Sequence, residues 1–206
     1  MEILLSICIG IGLSAACGFR IFVPPLVMSI AAHAGQLELS QEFAWMGSTP
    51  ALIAFGVGAV LEVGAYYVPF IDNALDVVAT PTAVIAGTII SASMVSELDP
   101  MLQWTVGLLV GGGTAGAVQG LTDVTRLSSN TLTAGFANPG VSTMELLSST
   151  VLSILAIAAP LLAAGLVVLV IWLLWLGVRS LYRKLARKKQ REEIDSSNQP
   201  TIIQNR

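Results

Sequence analysis

Charge is what this sequence has least of. Of its 206 residues only 11% are Asp, Glu, Lys or Arg; there is one histidine and there are two cysteines, while 54% of the chain is apolar. Each shortage excludes something. So apolar a chain does not have the composition of a disordered polymer, and ten bases against thirteen acids offer no strongly basic face for nucleic acid. Two cysteines build no disulfide framework, and Cys8 and Cys17, nine residues apart, face opposite sides of a helix at about 100° per residue. The phosphate-cradling GxxxxGK, the nucleophile elbow and the HExxH pair are missing, and no Cys and His spacing suits zinc. No catalytic residue, metal or cofactor is expected, and the chain is not read as an enzyme. Met1 and Glu2 precede the first apolar run without a basic flank, which argues against a cleaved signal peptide.

What the sequence has in plenty is lipid-compatible surface, with a mean hydropathy of +0.79. The composition predicts an all-α polytopic transmembrane helix bundle of about five spans, or six if the first apolar region forms a hairpin, with proline-broken first and last helices. The charges are segregated. Residues 1–178 carry two bases, Arg20 and Arg126, against ten acids, a balance of −8, whereas residues 179–206 carry eight bases against three acids, a balance of +5. The division is therefore a transmembrane helical domain, 1–178, and a basic tail, 179–206, disordered towards its end. By the positive-inside rule the tail is cytoplasmic, which for a bacterial chain means the inner membrane. Anionic lipid headgroups are its expected partners.

The first apolar region, Ile3 to Ala34, has 32 residues, about 48 Å as helix at about 1.5 Å per residue. The hydrocarbon core is only about 30 Å thick. Pro24 and Pro25 remove two backbone donors just after Arg20, so the helix is expected to break between Gly18 and Pro25. Further starts are read at Thr49–Pro50, Thr80–Pro81 and Asp99–Pro100, each a cap residue followed by proline. Ser128 to Gly140 reads as the longest loop. Ser142 and Glu145, at capping-box spacing, read as the opening of a last long helix that Pro160 divides.

Charged groups at membrane depth cost at least about 2.5 kcal/mol each near the centre, so they persist when paired, hydrated or functional. Gly58, Glu62 and Tyr66 are spaced four apart and form one stripe of small, acidic and phenolic groups. Glu62 is either an ion ligand or proton carrier, or the ion-pair partner that holds Arg20 at the broken helix. Asp72 and Asp76 share a face of a connector and, with Asn73, form an acidic mouth suited to a hard cation or a proton. Farther on, Gly107, Gly111, Gly112, Gly116 and Gly120 allow close helix approach and a possible homo-oligomer. That face continues into a polar end of Gln119, Asp123 and Arg126, where Asp123 and Arg126 can pair with each other.

The strings GLSAACGFRIFVPPLVMSIAA and PALIAFGVGAVLEVGAYYVPFIDNALDVVATPTAVIAGT resemble a bacterial membrane-protein family catalogued only as a domain of unknown function. The pieces that carry the likeness are Ala16 to Arg20, Leu61 to Asp76 and Ala79 to Thr88, and it covers most of the chain up to about Pro160. The resemblance implies a polytopic integral membrane protein and lends no substrate. Together these readings point to a small transporter or channel in which Arg20, Glu62 and Tyr66 line a polar path for a small ion, a cation or proton being favoured. The alternative is a non-transporting scaffold or assembly factor whose buried charges only lock helices together.

Overall fold

The computed structural model describes residues 2–95, 97–133, 136–173, 175–176 and 179, without the side chains of residues 2, 69, 70, 72–74 and 76. It divides into two units, Met1–Val167 and Val168–Arg206. The first is built of α1 (Glu2–Cys17), α2 (Val23–His33), a 3₁₀ segment (Gln41–Gly47), α3 (Thr49–Ala65), α4 (Pro69–Met94), α5 (Pro100–Thr133) and α6 (Asn138–Ala158). A further helix, α7 (Pro160–Leu173), begins in it. Among the described residues there is no strand. In the second unit the Arg179 guanidinium lies over the Trp175 ring, 5.0 Å from its centroid. The rest of the basic tail lies outside the described residues.

Among the described residues three helices, α4 from Val77, α5 and α6, are long and apolar enough to cross a membrane, and a fourth span arises if the 3₁₀ segment and α3, bent by 63°, count as one. The side chains are distributed as lipid demands. Val60, Leu109, Val151 and Leu161 are exposed, whereas Ser14, Ser29, Ser91, Ser93, Ser149 and Ser153 are fully buried. Small polar side chains inside and branched apolar ones outside invert the arrangement of a water-soluble domain.

Three of these serines donate to a neighbouring segment. Ser14 donates to Gly87 O at 2.8 Å, Ser149 to Ala16 O at 2.9 Å and Ser29 to Met46 O at 2.6 Å. Glycines set the closest approach. A Cβ on Gly107 would stand 2.8 Å from Thr88 O, one on Gly112 2.6 Å from Thr88 Oγ1, and one on Gly111 would collide with Gly87 O and Ser91 Cβ. These three lie in a π-helical segment of α5, Gly107–Gly112. The wider turn brings successive glycines onto α4, so α5 and α4 pack backbone to backbone. Gly116 meets only Val84, and a Cβ on Gly120 would meet nothing within 4 Å. Among the described residues Gly120 therefore plays no part in packing, contrary to the even stripe expected from spacing.

Three boundaries differ from those read along the chain. Pro81 does not start a helix; it lies inside α4, which runs unbroken from Pro69. The lost backbone bond is tolerated in a packed helix, and Thr82 Oγ1 donates to Val78 O at 2.6 Å on the same turn. Residues 128–133, read as loop because they are rich in Ser, Thr and Asn, are helical. Their hydroxyls are absorbed by the preceding turn, as in Ser128 to Val124 O at 2.8 Å and Thr133 to Ser129 O at 2.7 Å. Finally, α6 starts at Asn138, which leaves Ser142 and Glu145 within the helix and not at its cap. The start at Pro100 is as read: Asp99 accepts from Met101 N at 3.0 Å and Leu102 N at 3.2 Å. At α3 the cap is Ser48, which accepts from Ala51 N at 3.4 Å.

Candidate functional site

The site begins where α1 stops. Gly18 lies against α5 so closely that a Cβ there would stand 2.6 Å from Ala115 O and 2.9 Å from Gln119 N. With α1 ended at Cys17, the chain turns through Phe19 and directs Arg20 into the protein, where it is 1% exposed. The next helix starts with prolines at its second and third positions, which leaves fewer backbone donors to satisfy. Ile21 N and Phe22 N, just before α2, donate to the two carboxylate oxygens of Glu62 at 2.7 and 3.0 Å. Glu62 of α3 thus caps a helix other than its own. One turn earlier, Gly58 makes room for the Phe22 ring, 2.5 Å from where a Cβ would be.

Arg20 does not take Glu62 as its ion-pair partner. Its Nη2 stands 3.3 Å from Glu145 Oε2 and donates to Ser142 O at 2.9 Å. The reason is geometric. Both oxygens of Glu62 are occupied by the backbone at the break, and α6 packs antiparallel on α1, with Ser149 against Ala16, which brings Glu145 to the level of Arg20. Glu145 is shared with Arg126 of α5. Arg126 Nε donates to Glu145 Oε1 at 2.9 Å, Arg126 Nη2 makes a very short contact with Glu145 Oε2, and Nη2 also reaches Ser142 Oγ at 3.2 Å.

Tyr66, one turn beyond Glu62, completes the cluster. The guanidinium carbons of Arg20 and Arg126 lie over its ring, 4.1 and 4.3 Å from the centroid. The ring quadrupole and the nearby Glu62 carboxylate add to what Glu145 offers the two guanidiniums. Even so, Arg20 Nε and Nη1 are buried without a hydrogen-bond partner among the described residues.

Of the residues singled out by sequence, Arg20, Glu62, Tyr66 and Arg126 meet here. Asp123 and Gln119 lie in the adjoining turns of α5: Asp123 accepts from Gln119 Nε2 at 2.9 Å and from Thr80 Oγ1 of α4 at 2.9 Å. Asp72, Asn73 and Asp76 belong to the first turns of α4, helix and not connector, and their side chains lie outside the described residues. Glu145 and Ser142 were missed as site residues, because their spacing fits a capping box. The available signal was Glu145 itself, an acid in an apolar stretch of a domain holding only two bases. Among the described residues no three His, Cys, Asp or Glu side chains gather to hold a metal ion.

Two cavities meet the cluster. One, about 530 Å³, has Glu145 in its wall with Phe19, Thr122 and Met144. The other, about 330 Å³, has Arg126 in its wall with Val77, Asp123 and Asn130. The Arg126–Glu145 pair therefore contributes one residue to the wall of each.

An all-helical bundle with lipid-compatible helices, an apolar exterior and a buried charge cluster defines a protein built for the membrane. The profile of one family, described as Domain of unknown function (DUF4126), matches residues 7–180, and the chain belongs to that family. Neither a curated protein nor a solved structure gives a match.

Proposed function

We propose that the protein is a small multi-pass transporter or channel that moves a small ion through the polar site formed by Arg20, Glu62, Tyr66, Arg126 and Glu145. The supporting observation is that the two halves of one buried ion pair, Arg126 and Glu145, line different cavities. A charged latch between two cavities restrains passage while closed, and each change in its pairing alters what both cavities present. A cation or proton fits better than an anion, since acids outnumber bases ten to two in residues 1–178. The topology attached to this reading has five crossings, with residues 179–206 on the cytoplasmic side of a bacterial inner membrane.

The second reading is a scaffold or assembly factor, and one observation favours it: the buried carboxylates are fully engaged, Glu62 with two backbone N–H groups and Glu145 with two arginines. The experiment that separates the two is reconstitution of the purified chain in liposomes with imposed gradients of K⁺, Na⁺, H⁺ and Cl⁻ in turn. Under the transport reading the wild type dissipates one of them, and Glu62→Gln abolishes that flux while the folded fraction stays high. Under the scaffold reading no gradient decays, and Glu62→Gln registers only as lost stability.

A further inference from the structure

We propose that α3 is a hinged arm that closes over the arginine pair, Arg20 and Arg126, so that its lifting opens the polar site. Of the seventeen residues of α3 only Ala51, Ala59 and Glu62 are buried, while Ile53, Val57, Val60 and Leu61 are exposed. It packs chiefly on α2 and on the 3₁₀ segment. A single extended residue stands at each end, Ser48 ahead of α3 (φ −78°, ψ 154°) and Val68 ahead of α4 (φ −105°, ψ 110°). Such joints let a rigid helix move as a body.

Two kinds of contact hold the arm down, and lipid treats them differently. The apolar kind faces α2: the Phe22 ring fills the notch at Gly58, and Leu26 Cδ1 stands 3.8 Å from where a Gly56 Cβ would be. Acyl chains are as apolar as these side chains, so parting the two faces in a membrane carries no hydrophobic penalty. The polar kind lies at the far end of α3. Glu62 accepts from Ile21 N and Phe22 N at 2.7 and 3.0 Å, and the Tyr66 ring lies under Arg20 and Arg126 at 4.1 and 4.3 Å. Tyr67 Oη shares a hydrogen bond with Thr143 Oγ1 of α6 at 2.9 Å. These three side chains form a clasp.

Closure also carries a load. With Tyr66 against it, Arg20 keeps Nε and Nη1 buried without a hydrogen-bond partner among the described residues. A buried donor without an acceptor is a standing penalty, and lifting Tyr66 relieves it by uncovering the guanidinium. The clasp favours closure and the covered donors favour opening. Opposed contributions of this kind make two positions accessible to one element.

The inference deepens the transport reading by giving its site a gate, and rests on that reading for the effect on an ion but not for the movement. Movement is read in nanodiscs from the separation of nitroxides on Val60→Cys of α3 and Val151→Cys of α6, both exposed positions, with native Cys8 and Cys17 buried and unlabelled. The parent is expected to show a main separation and a minor one. Tyr67→Phe, which loses only the hydrogen bond to Thr143, raises the minor population relative to the main by about fivefold, and Tyr66→Leu raises it by about thirtyfold. One separation, unchanged in both folded variants, overturns the arm. Gating is read from a lock, Phe22→Cys with Gly58→Cys. Phe22 Cγ stands 2.9 Å from where a Gly58 Cβ would be, so the two Cβ atoms lie within about 4.4 Å, the reach of a disulfide. In liposomes the oxidised pair is expected to stop whichever flux the parent carries, and dithiothreitol to restore it. Undiminished flux through the oxidised pair overturns the gate while the transport reading stands; separations that shift in a chain that carries no ion sink that reading while the arm stands.

Discussion

Glu145 carries more of this structure than any other side chain, because it is the carboxylate on which both buried arginines converge. Removing one partner of a buried ion pair leaves an uncompensated charge, at a cost of about 3–5 kcal/mol. Glu145→Gln weakens the pairing of two, so it is expected to be the most destabilising single substitution in the cluster, read as a lower midpoint in SDS-titrated unfolding. Glu62→Gln keeps one acceptor for the donors at the α1–α2 break and costs less, on the order of 1–3 kcal/mol by the same measurement. Tyr66→Leu keeps an apolar side chain but removes the ring beneath Arg20 and Arg126, a loss of about 2 kcal/mol or more for desolvated cation–π contacts. If Tyr66→Leu were neutral, the stacking geometry would have no energetic weight. Arg20, Glu62 and Tyr66 were legible as site residues because charge and phenol are rare in the first 178 positions. Glu145 was not, because a four-residue pattern shared by a helix cap and a helix interior cannot tell the two apart.

Among the elements, the α4–α5 contact has the narrowest tolerances. Gly111→Ala places a Cβ on the backbone oxygen of Gly87 and on Ser91 Cβ, neither of which can give way without parting the helices. Loss of folded protein is expected, as for other overpacked cores, where the cost is typically about 1–3 kcal/mol and occasionally more. Gly120→Ala, nine residues on, meets no atom and gains up to about 1 kcal/mol of helix propensity. The contrast between the two in detergent melting curves tests whether the π segment exists as described, since a regular helix would rotate Gly120 relative to Gly111. The sequence showed that these glycines were there for close approach; it did not show which of them made it. Pro81 illustrates the converse limit. A cap-and-proline pair marks a helix start when water must be met, but inside a packed bundle the preceding turn continues through it.

At the scale of the molecule, the buried charges of the first unit gather in one cluster. The end of α1, the end of α3, the start of α6 and the last part of α5 all contribute, and Arg126 lies 26 residues beyond Pro100, about 39 Å along α5 at about 1.5 Å per residue. That exceeds the roughly 30 Å of hydrocarbon, so α5 is long enough to carry the cluster to the edge of an apolar band. Under the proposed multi-pass topology the two ends of α5 face opposite sides of the membrane. Single cysteines in place of Glu97 and Phe136, both exposed, are expected to react with an impermeant maleimide from opposite faces, while native Cys8 and Cys17, 7% and 0% exposed, stay unmodified. Labelling of both positions from one face would refute a spanning α5.

Composition and periodicity alone determined that this chain is helical, apolar on the outside and sparing with charge, because the cost of exposing peptide groups and ions to lipid applies to every residue irrespective of its neighbours. The fold decided who pairs with whom. Arg20 had two candidate carboxylates, and the choice of Glu145 over Glu62 depends on an antiparallel contact between segments some 125 positions apart, together with two backbone N–H groups that claimed Glu62 first. Pairing is a property of distance in space, and for a broken helix that distance is set only when α6 closes on α1.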